Sequence, residues 1–265
     1  MNFKQIVKIV SLGLLASAFG QTSMAMEMPR EELNKALRKA TKNGDSTKVI
    51  ELIVAGADIN AQVNYSGETP LHETCSNNNI EMAKLLINHG ADVNSKADHD
   101  ITPLYNVCSS NGNVELAQLL ISHGANINMR DKQWGDTPLQ RACSQGYLEV
   151  VKLLINHGAD INIQNTWKGN TALHKACLQN NLEVARVLIN NGADLNVRNH
   201  FGETALDLAN ENKHTQIAEL LTAELLINEF KNAFKRKQSA DWQAILQQRL
   251  PVNPDLNSLI TINRK

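Results

Sequence analysis

The chain has 265 residues, with 26 basic and 27 acidic side chains and a net charge of −1. That balance gives no electrostatic footprint for a nucleic-acid backbone, and 42% hydrophobic residues is too many for an intrinsically disordered chain. Aromatics make up only 4%, beside many small and aliphatic residues, so the core is expected in thin repeated layers instead of one thick centre.

At the N-terminus Lys4 and Lys8 accompany an apolar stretch over residues 9–19, and Ser23-Met24-Ala25 places small residues where a signal peptidase needs them. This three-part layout predicts a secretory signal over residues 1–25, cleaved after Ala25. The apolar run is too short to span a bilayer comfortably, and no later run is long enough. No stable membrane insertion is therefore expected after cleavage. The expected location is the periplasm or the medium, and the signal with the asparagine-heavy composition suggests a bacterium.

After residue 29, internal periodicity dominates. Gly56, Gly90, Gly124, Gly158 and Gly192 are each 34 apart, and each is followed by Ala and then Asp or Asn. A second series opens with Thr69-Pro70-Leu71-His72 and recurs at Thr102, Thr137, Thr171 and Thr204. Thr followed by Pro marks a helix start, because the hydroxyl caps a free amide and Pro has no N–H to leave unpaired there. A first short helix is predicted over residues 69–76, broken by Asn77, Asn78 and Asn79. A second carries Ile80, Met82, Ala83, Leu85, Leu86 and Ile87, an arc wide enough to need cover on more than one side. Gly90 ends it, since a left-handed residue after the cap suits Gly best. The dozen or so residues up to Thr102 suit a short β-hairpin.

A unit of about 33 residues is too small to fold alone and must stack on its copies. These motifs closely resemble the ankyrin repeat: Thr-Pro-Leu-His, Gly-Ala-Asp, and the Glu opening the second helix (Glu81, Glu115, Glu149, Glu183). The resemblance covers residues 29–222, about six units with terminal caps, followed by a helical extension and tail over 223–265. It implies a mostly α solenoid of paired helices joined by short β-hairpin loops. It further implies an elongated, slightly curved stack, with the loop tips along one edge and the first helices lining a concave groove. In the N-terminal unit Lys35 and Ala36 stand where Thr-Pro belongs, and Glu51 replaces an apolar residue, as a cap requires. Asp100 replaces the Gly expected in its hairpin, so that loop should be less regular. The third unit has an extra residue between its helices. Past Thr222 the last helix is expected to continue to residue 237, and Ser239 to cap another through Trp242, Ile245 and Leu246 up to Pro251.

Cys75, Cys108, Cys143 and Cys177 each lie six residues after a repeat Thr. Stacked helices are about 8–10 Å apart, whereas a disulfide needs Cα atoms within about 7 Å, so four buried free thiols are expected. His89, His123 and His157 recur just before the helix-ending Gly; one repeat apart they cannot share a metal ion, and a helix C-terminal role is expected. The resemblance gives His72 and His174 a loop-fixing hydrogen-bonding role. No nucleophile–base set, phosphate loop or metal motif escapes the repeat pattern, so neither enzymatic activity nor a cofactor or metal is expected. The basic cluster Lys231, Lys235, Arg236 and Lys237 is expected to be a solvated helix end.

Tyr65, Trp134, Trp167 and Phe201 fall three or four residues before a repeat Thr, one per loop, with His99 in the remaining one. By the resemblance, this position and the residue before Thr contact a partner. That implies Tyr65, Ser66 and Glu68; His99 and Ile101; Trp134 and Asp136; Trp167, Lys168 and Asn170; Phe201 and Glu203. The first helices add Asn77, Ser110, Gln145 and Gln179 from the groove. The alternative for the aromatics is that each only stiffens the edge by packing on its neighbour. The expected protein is a monomeric, exported, non-enzymatic scaffold that binds another protein and no nucleic acid. The alternative is a secreted effector acting on a host protein.

Overall fold

The computed structural model describes residues 28–62 and 64–235. Six helix pairs follow one another: α1 (Arg30–Lys42) with α2 (Ser46–Val54), α3 (Pro70–Ser76) with α4 (Ile80–Asn88), α5 (Pro103–Ser110) with α6 (Val114–Ser122), α7 (Pro138–Gln145) with α8 (Leu148–Asn156), α9 (Ala172–Leu178) with α10 (Leu182–Asn190), and α11 (Ala205–Glu211) with α12 (Thr215–Lys235). Thr69, Thr102, Thr137, Thr171 and Thr204 each stand at a helix N-cap, three of them followed by Pro. The asparagine run after α3 divides its work. Asn77 is the C-cap, Asn78 turns the chain with φ 58°, and the Asn79 side chain accepts from the Met82 N–H to start α4. The expected signal segment, the Ser239-capped helix with Trp242, Ile245, Leu246 and Pro251, and Arg236 and Lys237 lie outside the described residues.

Odd-numbered helices pack in one row and even-numbered helices in another, each helix touching its own partner and its neighbours in the row. Contacts are more extensive along the odd row. Closer approach on one side bends the stack toward it, so the odd helices line the inner face. Small residues permit that approach: Ala142, Ala176 and Ala209, with Cys75, Cys108, Cys143 and Cys177, are fully buried there. All four cysteines are free thiols. Between the rows, Leu71, Leu86, Leu104, Leu120, Leu139, Leu154, Leu173 and Leu188 repeat the same buried layer from unit to unit. At the first unit this logic changes to charge, with Arg38 Nε 3.1 Å from the Glu73 carboxylate.

The loops depart from expectation. No described residue is in a β-strand. Each of four loops is closed at its base by a main-chain bond: Ala97 N–H to Ile101 O (2.9 Å), Asp131 N–H to Asp136 O (3.0 Å), Asn165 N–H to Asn170 O (2.9 Å) and Asn199 N–H to Glu203 O (2.9 Å). The carbonyl of the same opening residue accepts one more bond, from Asp100, Gly135, Gly169 or Gly202, which makes a hairpin-shaped finger but no ladder. The second finger is the irregular one: residues Asp98–Asp100 form a 3-10 turn, with His99 and Asp100 both at φ 58°. Asp100 thus adopts the left-handed conformation that Gly67, Gly135, Gly169 and Gly202 supply elsewhere.

A second bonding system runs through the same loops, a few residues before each finger. Asn60, Asn94, Asn128 and Asn162 each accept, through Oδ1, the main-chain N–H of the residue after Gly-Ala in the next unit, at 2.7–3.0 Å, and Asn34 accepts the equivalent Asp58 N–H within the first unit at 2.7 Å. His89, His123 and His157 Nδ1 lie 2.8–2.9 Å from the carbonyls of Leu85, Leu119 and Leu153, so they cap the ends of α4, α6 and α8.

Candidate interaction surface

Every finger but the second, which opens at Ala97, is shaped by the side chain of the residue that opens it. Asn64 Oδ1 accepts the Glu68 N–H at 2.7 Å. Asp131 accepts the N–H of Trp134 at 2.7 Å and of Asp136 at 2.8 Å. Asn165 accepts from Asn170 at 2.8 Å and Lys168 at 3.3 Å, and Asn199 from Phe201 at 2.9 Å and Glu203 at 3.0 Å. An Asx side chain suits this place because it bonds main-chain amides a few residues on. The finger base is then tied to the preceding unit's inner helix. His72 Nε2–H donates to Ile101 O at 2.9 Å while its Nδ1 accepts from the Thr69 N–H at 3.3 Å. That arrangement requires the neutral ring, and burial holds its pKa below the ordinary value. His174 does the same to Glu203 O at 3.1 Å, also with burial lowering its pKa. Gln140 takes this role in its unit, donating to Asn170 O at 2.8 Å.

Neighbouring fingers are joined at their tips, and the third to fifth also at their bases. At the base, Asn165 Nδ2 donates to Asp136 Oδ1 at 2.8 Å and Asn199 Nδ2 to Asn170 Oδ1 at 3.1 Å. At the tips, main-chain bonds run from Asp98 to Ser66 (3.0 Å), Lys132 to His99 (2.7 Å), Trp167 to Trp134 (3.1 Å) and His200 to Lys168 (2.8 Å). Five fingers therefore make one continuous edge.

The residues expected to meet a partner fall into three groups on this edge and groove. Tyr65, Ser66, His99, Lys168, Trp167 and Phe201 are exposed, with Trp167 at 59% and Phe201 at 68% of full exposure. On the inner helices Asn77, Ser110, Gln145 and Gln179 are exposed in a row at the helix ends. Trp134, Glu68, Ile101 and Glu203 are half-buried. Trp134 lies under Trp167 with ring centroids 5.3 Å apart and planes at 86°, an edge-to-face pair, so it packs while its neighbour projects. Ile101 and Glu203 contribute their carbonyls to the histidine bonds, and Glu68 bonds Asn64.

Asp136 and Asn170 are buried. Their side chains are joints between fingers and leave the contact surface, a correction to the expectation drawn from their place before Thr. Asp136 also holds Lys175 Nζ at 2.9 Å and Arg141 at 3.6 Å. The finger-opening residues Asp131, Asn165 and Asn199, and the tie Gln140, went unnoticed in the sequence. The signal for the openers was the recurrence of Asn or Asp five or six positions before every repeat Thr except Thr102.

Among the described residues no group of His, Cys, Asp or Glu is placed to hold a metal ion, and no helix is long and apolar enough to cross a membrane. Stacked units with a shared core, presenting fingers and an inner helical face outward, define a linear-repeat recognition scaffold. The chain belongs to the ankyrin-repeat family: the model described as Ankyrin repeats (3 copies) matches residues 37–131, 96–165 and 158–234. No curated protein matches the sequence. Ankyrin repeats are protein-binding modules and are typically non-enzymatic.

Proposed function

We propose that this protein is an exported, monomeric scaffold that holds a protein partner on its finger edge and inner helical face. The observation carrying this reading is the contrast at the tips: Tyr65, Trp167 and Phe201 are large, apolar and exposed on a backbone bonded to the neighbouring finger, on both sides in the case of Trp167. A surface already ordered before contact loses little entropy on binding, and aromatic side chains bury much area with few rotatable bonds. The inner row of Asn77, Ser110, Gln145 and Gln179 adds uncharged hydrogen-bonding groups beside that edge. Export rests on the signal pattern of residues 1–25, with the periplasm or the medium as destination.

The test uses a partner captured by the mature chain from its native source. Trp167→Ala is expected to weaken that partner at least tenfold while moving the thermal midpoint by less than about 2 °C, as an exposed side chain should. Trp134→Ala, which also removes packing, is expected to lower the midpoint more. A Trp167 variant that binds as well as the parent refutes the finger reading. N-terminal sequencing of the mature protein, showing Met26 first, tests the export reading; an intact Met1 refutes it.

A further inference from the structure

The finger edge is not uniform in charge. On the third to fifth fingers and their flanks, Arg130, Lys132, Lys168 and Arg198 are exposed, whereas the acids of the fingers themselves are withdrawn. Asp131 and Asp136 are buried in the joints already described, Glu203 is half-buried against Asn199 Nδ2 at 2.8 Å, and the exposed acid beside the fifth finger, Asp207, lies 4.0 Å from Arg198. The first two fingers differ: Asp98 is exposed, and the Asp100 carboxylate is held by Lys96 at 3.0 Å and Lys132 at 3.1 Å. Neither Arg130 nor Lys168 makes an ion pair among the described residues, although the whole chain is nearly neutral. Beside Lys168 and Arg198 stand the two most exposed rings of this half of the edge, Trp167 and Phe201. The three fingers are one surface, because tip bonds link Trp167 to Trp134 and His200 to Lys168.

Resting on the protein-binding reading above, we infer that fingers three to five take an acidic, extended polypeptide segment whose carboxylates flank an apolar side chain. Three fingers at a spacing of about 8–10 Å cover about 16–20 Å, the length of some five or six extended residues. Carboxylates opposite Arg130 and Lys168 would find unpaired cations, an apolar residue between them would rest against Trp167, and one beyond Lys168 against Phe201. A long polyanion fits less well: continued along the edge, it meets the exposed Asp98 of the second finger, and a strip of about four charges gives little counterion release.

The experiment selects binders to the full mature chain from a displayed library of random dodecapeptides, with oligothymidylate and anionic-lipid vesicles titrated in parallel. Recovered peptides are expected to be enriched about threefold or more in Asp and Glu around a Leu, Phe or Trp. Lys168→Glu and Arg130→Glu, made separately, should each weaken them about five- to tenfold, with a further loss of similar size on raising the salt severalfold. Lys132 is left intact because its reversal would set a Glu beside Asp100. Unchanged circular-dichroism melting shows that each variant is folded. Neutral or basic peptides, or binding indifferent to both reversals, overturn the inference. So does tighter binding of oligothymidylate or vesicles. Non-acidic peptides that are lost with Trp167→Ala would sink the charge preference and leave the finger reading standing, whereas peptides indifferent to Trp167→Ala as well would sink both.

Discussion

Replacing Asp136 with alanine is the sharpest test of how the fingers are held. The carboxylate is fully buried, with one oxygen 2.8 Å from Asn165 Nδ2 and the other 2.9 Å from Lys175 Nζ and 3.6 Å from Arg141. Alanine strands one amide and two cations. Removing one member of a buried pair costs about 3–5 kcal/mol when the remaining charge has no access to water. Here the Lys175 and Arg141 side chains keep 17% and 28% of their exposure, so water relieves part of that loss. About 2–3 kcal/mol is therefore expected, a roughly 30- to 150-fold rise in local opening. In a stack coupled only between neighbours the damage stays local. Hydrogen exchange should accelerate by that factor in α7, α9 and the third and fourth fingers, with α1 and α2 unaffected. Asp136→Asn retains an acceptor for Asn165 and should fall between the parent and alanine. A change below threefold in α7 and α9, or an equal change in α1, would refute the idea of Asp136 as a local joint.

Three further outcomes are expected. His72 is held below its ordinary value of 6.5 by burial, so as pH falls the unfolded chain takes up its proton first; the stability tied to the neutral ring is complete above about pH 6.5 and declines below it. His72→Gln, the residue type found at Gln140, should flatten the fall in urea midpoint between about pH 7 and 5, and an unchanged slope would count against the assignment. Gly112 has φ +63°, and a Cβ there would sit 2.4 Å from Tyr147 Cγ. Gly112→Ala should cost about 2 kcal/mol or more in thermal unfolding, with Tyr147→Ala relieving part of it in the double variant. The cysteines should be silent to a thiol reagent in the native protein and all react on unfolding, since burial raises every thiol, Cys177 to about 12. Rapid reaction of any one without unfolding would contradict that burial.

The repeats were legible because their punctuation is local. Thr at the cap, Pro after it and Gly past the second helix each act on amides within a turn, so their spacing alone locates α3 to α11. The cysteine column was legible for a related reason: a fixed address in every unit fixes the environment. What escaped was the bonding between units. Asn60, Asn94, Asn128, Asn162 and Asn196 recur every 34 residues, yet the first four act on amides 32 positions away, and nothing nearby reveals it. The abundance of asparagine has a structural cause in these ties as well as in the finger openers. Asp136 and Asn170 were misplaced for the same reason. Their position in the loop looks like surface, and only the next finger, bringing Asn165 or Asn199 over them, buries them. The aromatic positions were visible in the sequence, but not that Trp134 serves as the support for Trp167.

The asparagine column also bears on size. Every storey offers upward the same acceptor it receives from below, and Asn196 stands at the head of the column with no amide above it among the described residues. Nothing in that arrangement counts floors. A duplicated stretch of 34 residues, begun at one helix-ending glycine and closed before the next, would find both of its faces already matched. It would lengthen the gripping edge by one finger without altering any existing floor.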